Sequence, residues 1–383
     1  MASYFNDEHR MLRDMVREFA KNEVEPIADE LDQNERFPSE LVDQMGDLGL
    51  MGIPYPEDYG GAGMDTVAYA LAVEELTKAC SSTAITMAAH TSLGTFPIYQ
   101  FGTEEQKQKY LPKMTSGEWL GAFGLTEPQA GSDASGTKTT AVPDGDEWIV
   151  NGAKMFMTNG GHAGVIVFTA VTDPDAENVG KGISCFIVEA DTPGLVIGTK
   201  EKKMGWRASD THQVFFEDMR LPKENLLGKL NHGYVQFMET LDGGRISVAA
   251  MGLGLAEAAF EASKKYVNER EAFGRKIKKF QGVSFPLADM KTKIEAARHL
   301  TFNAAQLKDE GKDFKLEAGM AKLYTSELAT WAANQAVQTH GGYGYIKDFP
   351  VERYFRDAKI LEIGEGTSEI QRLVIAREVL KDS

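Results

Sequence analysis

The runs "WIVNG" at 148–152 and "VIVFTAV" at 165–171 decide how this chain is built. Each is short, rich in β-branched and aromatic residues, and bounded by Gly, Asp or Asn, which is strand composition. "ISCFIVEA" (183–190), "LVIGTK" (195–200) and "QVFFEDMRL" (213–221) continue the series, with no helical pattern of useful length between them. Strands without intervening helices predict a compact antiparallel β unit instead of βαβ crossovers.

On both sides of this unit the period changes. From 7 to about 32, Met11, Leu12, Met15, Val16, Phe19, Val24, Ile27 and Leu31 recur at threes and fours, the spacing of one long amphipathic helix. Similar periodicity runs through 39–50, 66–79 and 104–113, with turn chemistry in "PYPEDYGGAG" at 54–63. Beyond 231 it returns through 233–267, 281–310, 315–338 and 368–381, as in an antiparallel bundle. The expected fold is therefore α+β and multidomain: an all-α domain over 1–117, a middle antiparallel β domain over 118–230, and a carboxyl-terminal four-helix bundle over 231–383.

A chain of 383 residues exceeds the usual single core. Its 42% hydrophobic and 26% charged residues are ordinary for a globular protein, and no uncharged run of membrane-spanning length is expected. A net charge of -16 argues against a nucleic-acid surface, which needs clustered Lys and Arg. Cys80 and Cys185 stand far apart without a C-x-x-C pattern, so a reducing compartment is expected and a structural zinc site is not. The opening "MASYFNDEHRMLRDMV" has no apolar signal core and is too acidic for a transit peptide. That predicts a cytoplasmic chain, or a mature matrix protein.

Several stretches invite a chemical reading. "GLGLAE" at 252–257 lies within a helical pattern with no strand before it, so the dinucleotide context fails. "GLTEPQAGSDASGTKT" at 124–139 gathers the hydroxyls of Thr126, Ser132, Ser135 and Thr137 with Gly131 and Gly136. Such a loop can offer N–H groups to a pyrophosphate, although polar glycine-rich loops are usually only loops. In "KMFMTNGG" (154–161), Phe156 and Thr158 share one strand face, fit either for a flat heterocycle or for ordinary half-burial. No histidine pair has the i, i+4 spacing of a helical metal site, and no G-x-S-x-G occurs.

Near the end, "IGEGTSEIQR" (363–372) sets Glu365 between two glycines. Ser368 and Gln371 have capping-box spacing, which places a helix start at about 369. Glu365 is then either a partner for the helix dipole or, if buried beside Ile363 and Ile370, a general base with a raised pKa.

Taken together, these residues resemble the acyl-CoA dehydrogenase family. The likeness runs through "FNDEHRMLRDMVREFA", "LTEPQAGSDASG", "MTNGG", "LDGGRISVAA", "REAFGRKIKKFQ", "THGGYGYIKDFPVERYFRDAKI" and "GEGTSEIQRLVIARE". It implies a three-domain fold, a homotetramer, and one FAD per subunit. Phe123, Leu125, Thr126, Gly131 and Ser132 would line the flavin and its phosphates, with Phe156 and Thr158 at the ring system. Arg270, Phe273, Gln281, Gln338, Gly341 and Gly342 match residues that reach a neighbouring subunit's FAD, and Thr367 and Glu369 match the remaining flavin contacts.

The resemblance makes Glu365 the base that removes the α-proton of an acyl-CoA thioester as the β-hydrogen leaves as hydride. One branch of the family carries its base on the "LDGGR" helix, where this chain has Gly244. Asp242 and Arg245 match positions near the CoA moiety, Ser132 also meets substrate, and Gly364 and Gly366 let substrate come close to the backbone. Gly364 departs from the usual Tyr of straight-chain members, which implies room for short branched chains. The expected electron acceptor is an electron-transferring flavoprotein. An oxidase using oxygen and a non-catalytic acyl-CoA- or flavin-binding protein are the competing readings.

Overall fold

The computed structural model describes residues 4–381, so the ends of the expected first and last domains lie outside the described residues. The middle of the chain forms an eight-stranded sheet: β1 (Leu120–Gly124), β2 (Thr140–Asp144), β3 (Glu147–Thr158), β4 (Ala163–Val171), β5 (Ile183–Glu189), β6 (Leu195–Lys200), β7 (Thr211–Pro222) and β8 (Leu226–Leu227). The path is β6-β7-β3-β2-β4-β5-β8, with β1 on β4.

One expectation is corrected here, because the sheet is not purely antiparallel. β1 runs parallel to β4, and Thr140 in β2 bridges Val171 in β4 in parallel. The β2–β3 hairpin lies between β1 and β4 in sequence, so the connection is long enough to return the chain in the same direction.

β4 and β5 are buried on both faces, which is why their sequences are continuous apolar runs without alternation. Ile166, Phe168, Phe186 and Val188 point into the sheet's own core. Val165, Val167, Cys185 and Ile187 point the other way, against Ile98, Leu111, Met114 and Phe237 of the helices.

The helical blocks before and after the sheet share one core. The Thr66–Ala79 helix packs on both the Gly233–Glu269 and Gln281–Asp309 helices, and a single apolar cluster runs from Leu12 to Leu361. The Lys315–His340 helix packs along Gly233–Glu269, and Ser368–Val379 packs on Lys315–His340. Gly252 allows the close crossing, since a Cβ there would stand 2.8 Å from the backbone of Thr325.

Two helical expectations also change. The run from 7 to 32 is helical but not one α-helix: Asp7–Phe19 passes through a π-turn at Ala20–Val24 and a 3₁₀ turn at Glu25–Ile27 before Ala28–Asn34. Pro26 lacks the N–H that an uninterrupted ladder needs. One helix, Gly233–Glu269, is after all long and apolar enough to cross a membrane, with a mean hydropathy of 1.2 over its best window. Most of that window is buried inside the protein, where it forms the central helix of the shared core.

Candidate active site

The segment before the last helix is shaped by backbone conformation. Glu365 has φ +51° and Gly366 φ +90°, so two successive residues are left-handed. Gly366 is needed there both by its φ and because a Cβ would stand 2.8 Å from Gln371 Nε2. Gly364 has no such requirement, since a Cβ there meets nothing nearer than Ile360 O at 3.4 Å.

The helix starts one residue earlier than the spacing predicts. Thr367 is its cap, with Oγ1 accepting from Ile370 N at 3.3 Å, while the Ser368 hydroxyl is buried without a partner among the described residues. Gln371, expected to complete the cap, instead turns back. Its Nε2 donates to Gly366 O (3.0 Å) and Glu365 O (3.3 Å).

This turn sends the Glu365 side chain inward, where Oε2 is buried with no hydrogen-bond partner among the described residues. A Cβ added to Gly244 would lie 2.3 Å from that oxygen and 3.2 Å from Leu93 Cδ2. Position 244 and the carboxylate therefore compete for one space. Leu93 belongs to a π-helical turn, His90–Thr95, brought against β1 by paired glycines: a Cβ on Gly94 would stand 2.5 Å from Gly121 C. His90 Nδ1 accepts from Gly121 N at 2.9 Å, fixing the same junction.

Two buried cations face the carboxylate. Lys322 is 0% exposed and donates to Gly366 O at 2.7 Å. Arg245, also buried, pairs Nη1 with Asp242 Oδ1 and leaves Nε without a partner among the described residues. Burial pushes the Glu365 carboxyl up to about 7, with Lys322 and Arg245 pulling it back down. Burial lowers Lys322 to about 8 against the attraction of Glu365, and raises Asp242 despite Arg245. A carboxyl balanced near neutrality, with a free buried oxygen, is equipped to take up a proton at ordinary pH.

The residues expected around a flavin fall into two groups that one chain does not bring together. In the first, Phe123 in β1 stacks on Phe237 with centroids 4.1 Å apart, and Leu125 and Thr126 follow it, half-buried. The loop beyond, with exposed Gly131 and Ser132, is anchored by Glu127, which accepts from Lys138 N, Thr139 N and the fully buried Lys154 Nζ (2.7 Å). Burial alone would raise Glu127, but Lys154, the Lys138 N–H and the Thr139 side chain hold it low; burial lowers Lys154 to about 8. A register shift between Lys154 and Met157 in β3 gives Phe156 φ +56° and turns its ring outward, 62% exposed, two residues before Thr158.

The second group lies on the helical block. Arg270, Gln338, Gly341 and Gly342 line one open cavity of about 480 Å³. Phe273 stands 94% exposed with φ +51° on the short hairpin Glu271–Lys276. Gln281, exposed, starts the Gln281–Asp309 helix. Thr367 and Glu369 belong to neither group: they stand at the cap and in the first turn of the last helix, Glu369 exposed.

Sequence comparison matches three domain families along the chain: acyl-CoA dehydrogenase N-terminal domain over 6–118, middle domain over 122–219 and C-terminal domain over 231–380. The chain belongs to the acyl-CoA dehydrogenase family. It is 51% identical over 374 residues, 98% of each chain, to a short-chain specific acyl-CoA dehydrogenase of Clostridium acetobutylicum. Butyryl-CoA dehydrogenase from Megasphaera elsdenii superposes with a TM-score of 0.97 at 44% identity, covering all of both chains. A chain from work on the electron-transferring flavoprotein of Acidaminococcus fermentans and flavin-based electron bifurcation gives 0.98 at 50%, again over both whole chains. The family is one of FAD-dependent oxidoreductases, and the three-domain order of helices, sheet and helices is the family's own.

Several site residues escape a reading of the sequence. Lys322 sits in "EAGMAKLYTSELATWAANQA", where a lysine among alanines looks like a solvent-facing position. The signal it did carry is its place on the buried stripe, beside Ala318 and Ala321. Tyr69 is buried within a helix covered on nearly every side, and its hydroxyl donates to Ala88 O at 3.0 Å.

Proposed function

We propose that this chain oxidises a short-chain acyl-CoA thioester at its α and β carbons to the trans-2-enoyl-CoA, with Glu365 as the base. The observation that carries this reading is the buried, unpartnered Oε2 of Glu365, aimed over Gly244 from a left-handed turn. The outward Phe156 ring with Thr158 beyond it, and the open cavity around Arg270, are surfaces that fit a flat aromatic system and an anionic group, so the chain suits FAD. When bound, FAD supplies the acceptor for the hydride leaving the β-carbon, and through it the electrons that pass to an electron-transferring flavoprotein.

The chain's own residues do the rest. Glu365 Oε2 takes the α-proton as the α–β double bond forms. The Glu365 backbone N–H donates to the thioester oxygen, where charge builds as the proton leaves. The packed Leu93, Gly244 and Tyr69 keep water from the carboxylate, and Arg245 with Asp242 orients the CoA portion. Phe123, Leu125, Thr126, Gly131, Ser132, Phe156 and Thr158 hold the cofactor, with Thr367 and Glu369 at the start of the last helix supplying the remaining contacts, and Ser132 also meets substrate.

Arg270, Gln338, Gly341 and Gly342 line a cavity that no residue of the first group enters, and with Phe273 and Gln281 they are assigned to the FAD of a second copy, in a homotetramer. Butyryl-CoA is the expected substrate, and bare Gly364 leaves room for isobutyryl- and 2-methylbutanoyl-CoA. The enzyme works in a bacterial cytoplasm, or in a mitochondrial matrix if the chain is eukaryotic. Anaerobic bleaching of the flavin band by butyryl-CoA and by the branched thioesters tests the reading. Bleaching by none of them would overturn it, and bleaching by butyryl-CoA alone would remove the branched substrates.

A further inference from the structure

We propose that Lys322 is a positioning residue for the base: its ammonium clamps the Glu365 turn through the Gly366 carbonyl and holds the carboxylate in its ionisable, inward-facing state. This rests on the assignment of Glu365 as the base, and three observations carry it.

The first is burial without an alternative role. Lys322 is 0% exposed on the Lys315–His340 helix, and the only hydrogen bond of its ammonium among the described residues goes to Gly366 O. A buried ammonium is costly unless a charge or dipole offsets it, and no carboxylate lies within salt-bridge distance of it among the described residues. The second is where that bond lands. Gly366 O follows two left-handed residues, and such a conformation persists only where the surroundings over-determine it. Lys322 supplies one restraint from the neighbouring helix, while Gln371 supplies the other from the helix that follows.

The third is charge. The groups that face Lys322 are Glu365 on the turn, Arg245 on the Gly233–Glu269 helix, Glu362 on the preceding turn and Glu369 on the last helix. Those that face the Glu365 carboxylate are Lys322 and Arg245, and the buried Tyr69 phenol feels its charge. Arg245 already pairs with Asp242, whereas Lys322 has no carboxylate partner of its own. Its field is therefore left to act on Glu365. Each favours the charged form of the other: the ammonium pulls the carboxyl down, and the carboxylate pulls the ammonium up.

The experiment compares wild type with Lys322→Gln and Lys322→Met, as FAD-loaded enzymes with melting temperature measured, by anaerobic bleaching with butyryl-CoA from about pH 5.5 to 8.5. Gln keeps a donor for Gly366 O and loses the charge, and Met loses both. In both variants the acid limb of the rate should move to higher pH by about one unit or more. The plateau rate should fall by about tenfold to a hundredfold in Met and less in Gln, with KM changing less than kcat. If Met does not fold, Gln alone decides through its acid limb. A folded Lys322→Gln with the wild-type acid limb overturns the inference. Failure of the underlying base assignment looks different, since Glu365→Gln would then bleach as fast as wild type.

Discussion

The two halves of this site are built in opposite ways. The proton-accepting half buries Glu365 Oε2 beneath a half-buried turn that is left-handed at two residues, with Gly244, Leu93, Lys322 and Gln371 of the same chain around it. The half proposed for the cofactor is open, with Phe156 and Phe273 largely exposed and no residue of the Thr126 loop among those lining the Arg270 cavity. A carboxylate must leave water to reach a pKa near neutrality, so its pocket has to be complete before substrate arrives. A cofactor brings its own surface, and residues that wait for it remain exposed until it is bound. On the proposed reading, the difference places proton transfer within the single chain and makes cofactor retention depend on assembly.

The largest effect expected from this contrast falls on the closed half. Glu365→Gln should lower the rate of substrate-driven flavin bleaching by about 10²–10⁴-fold while leaving FAD content unchanged. Because position 244 and the carboxylate compete for one space, Glu365→Gly combined with Gly244→Glu should recover measurable bleaching that Glu365→Gly alone lacks, as stopped-flow absorbance would show. On the open half, Lys154→Met removes the partner of buried Glu127, and should cost about 3–5 kcal/mol in urea unfolding and loosen the 125–139 loop. Equal stability in that variant would mean that the pair does not anchor the loop.

Smaller effects separate assembly from chemistry. Arg270→Gln should weaken FAD retention by about tenfold, seen as flavin lost on gel filtration, without moving the acid limb of the reloaded enzyme. A shift of that limb would break the division between the halves. Gly364→Tyr is accommodated by the backbone, and should reduce isobutyryl-CoA relative to butyryl-CoA turnover by about 1–3 kcal/mol in kcat/KM.

How much of this was legible beforehand follows the same physics. The strands β3 to β7 declared themselves by composition, and the long carboxyl-terminal helices by period, because local residues decide both, whereas the short β1, β2 and β8 were not legible. The stretch from 81 to 101 gave no amphipathic signal, since the helix Ser81–Ala89 and the π-turn after it are buried on all sides. The parallel placement of β1 depends on a partner 43 residues away, Ala163 for Leu120, and nothing local encodes it. At the site, Glu365 stood out through its flanking glycines, and family motifs marked the positions proposed for the flavin. Lys322 did not stand out, because its importance lies in a carbonyl 44 residues further along the chain. The cap was misplaced by one residue because Thr367 and Ser368 carry the same hydroxyl chemistry, and only the backbone angles separate them.

The central claim, that the buried Glu365 carboxylate takes the substrate proton, is tested most directly by single-turnover anaerobic bleaching with butyryl-CoA across pH, wild type beside Glu365→Gln. Burial sets the base near 7, so the wild-type rate should rise as pH passes from 6 to 8 and the carboxyl ionises. The variant should be slow and flat over the same range. A variant as fast as wild type, or a wild-type rate that falls as pH rises through 7, would contradict the account.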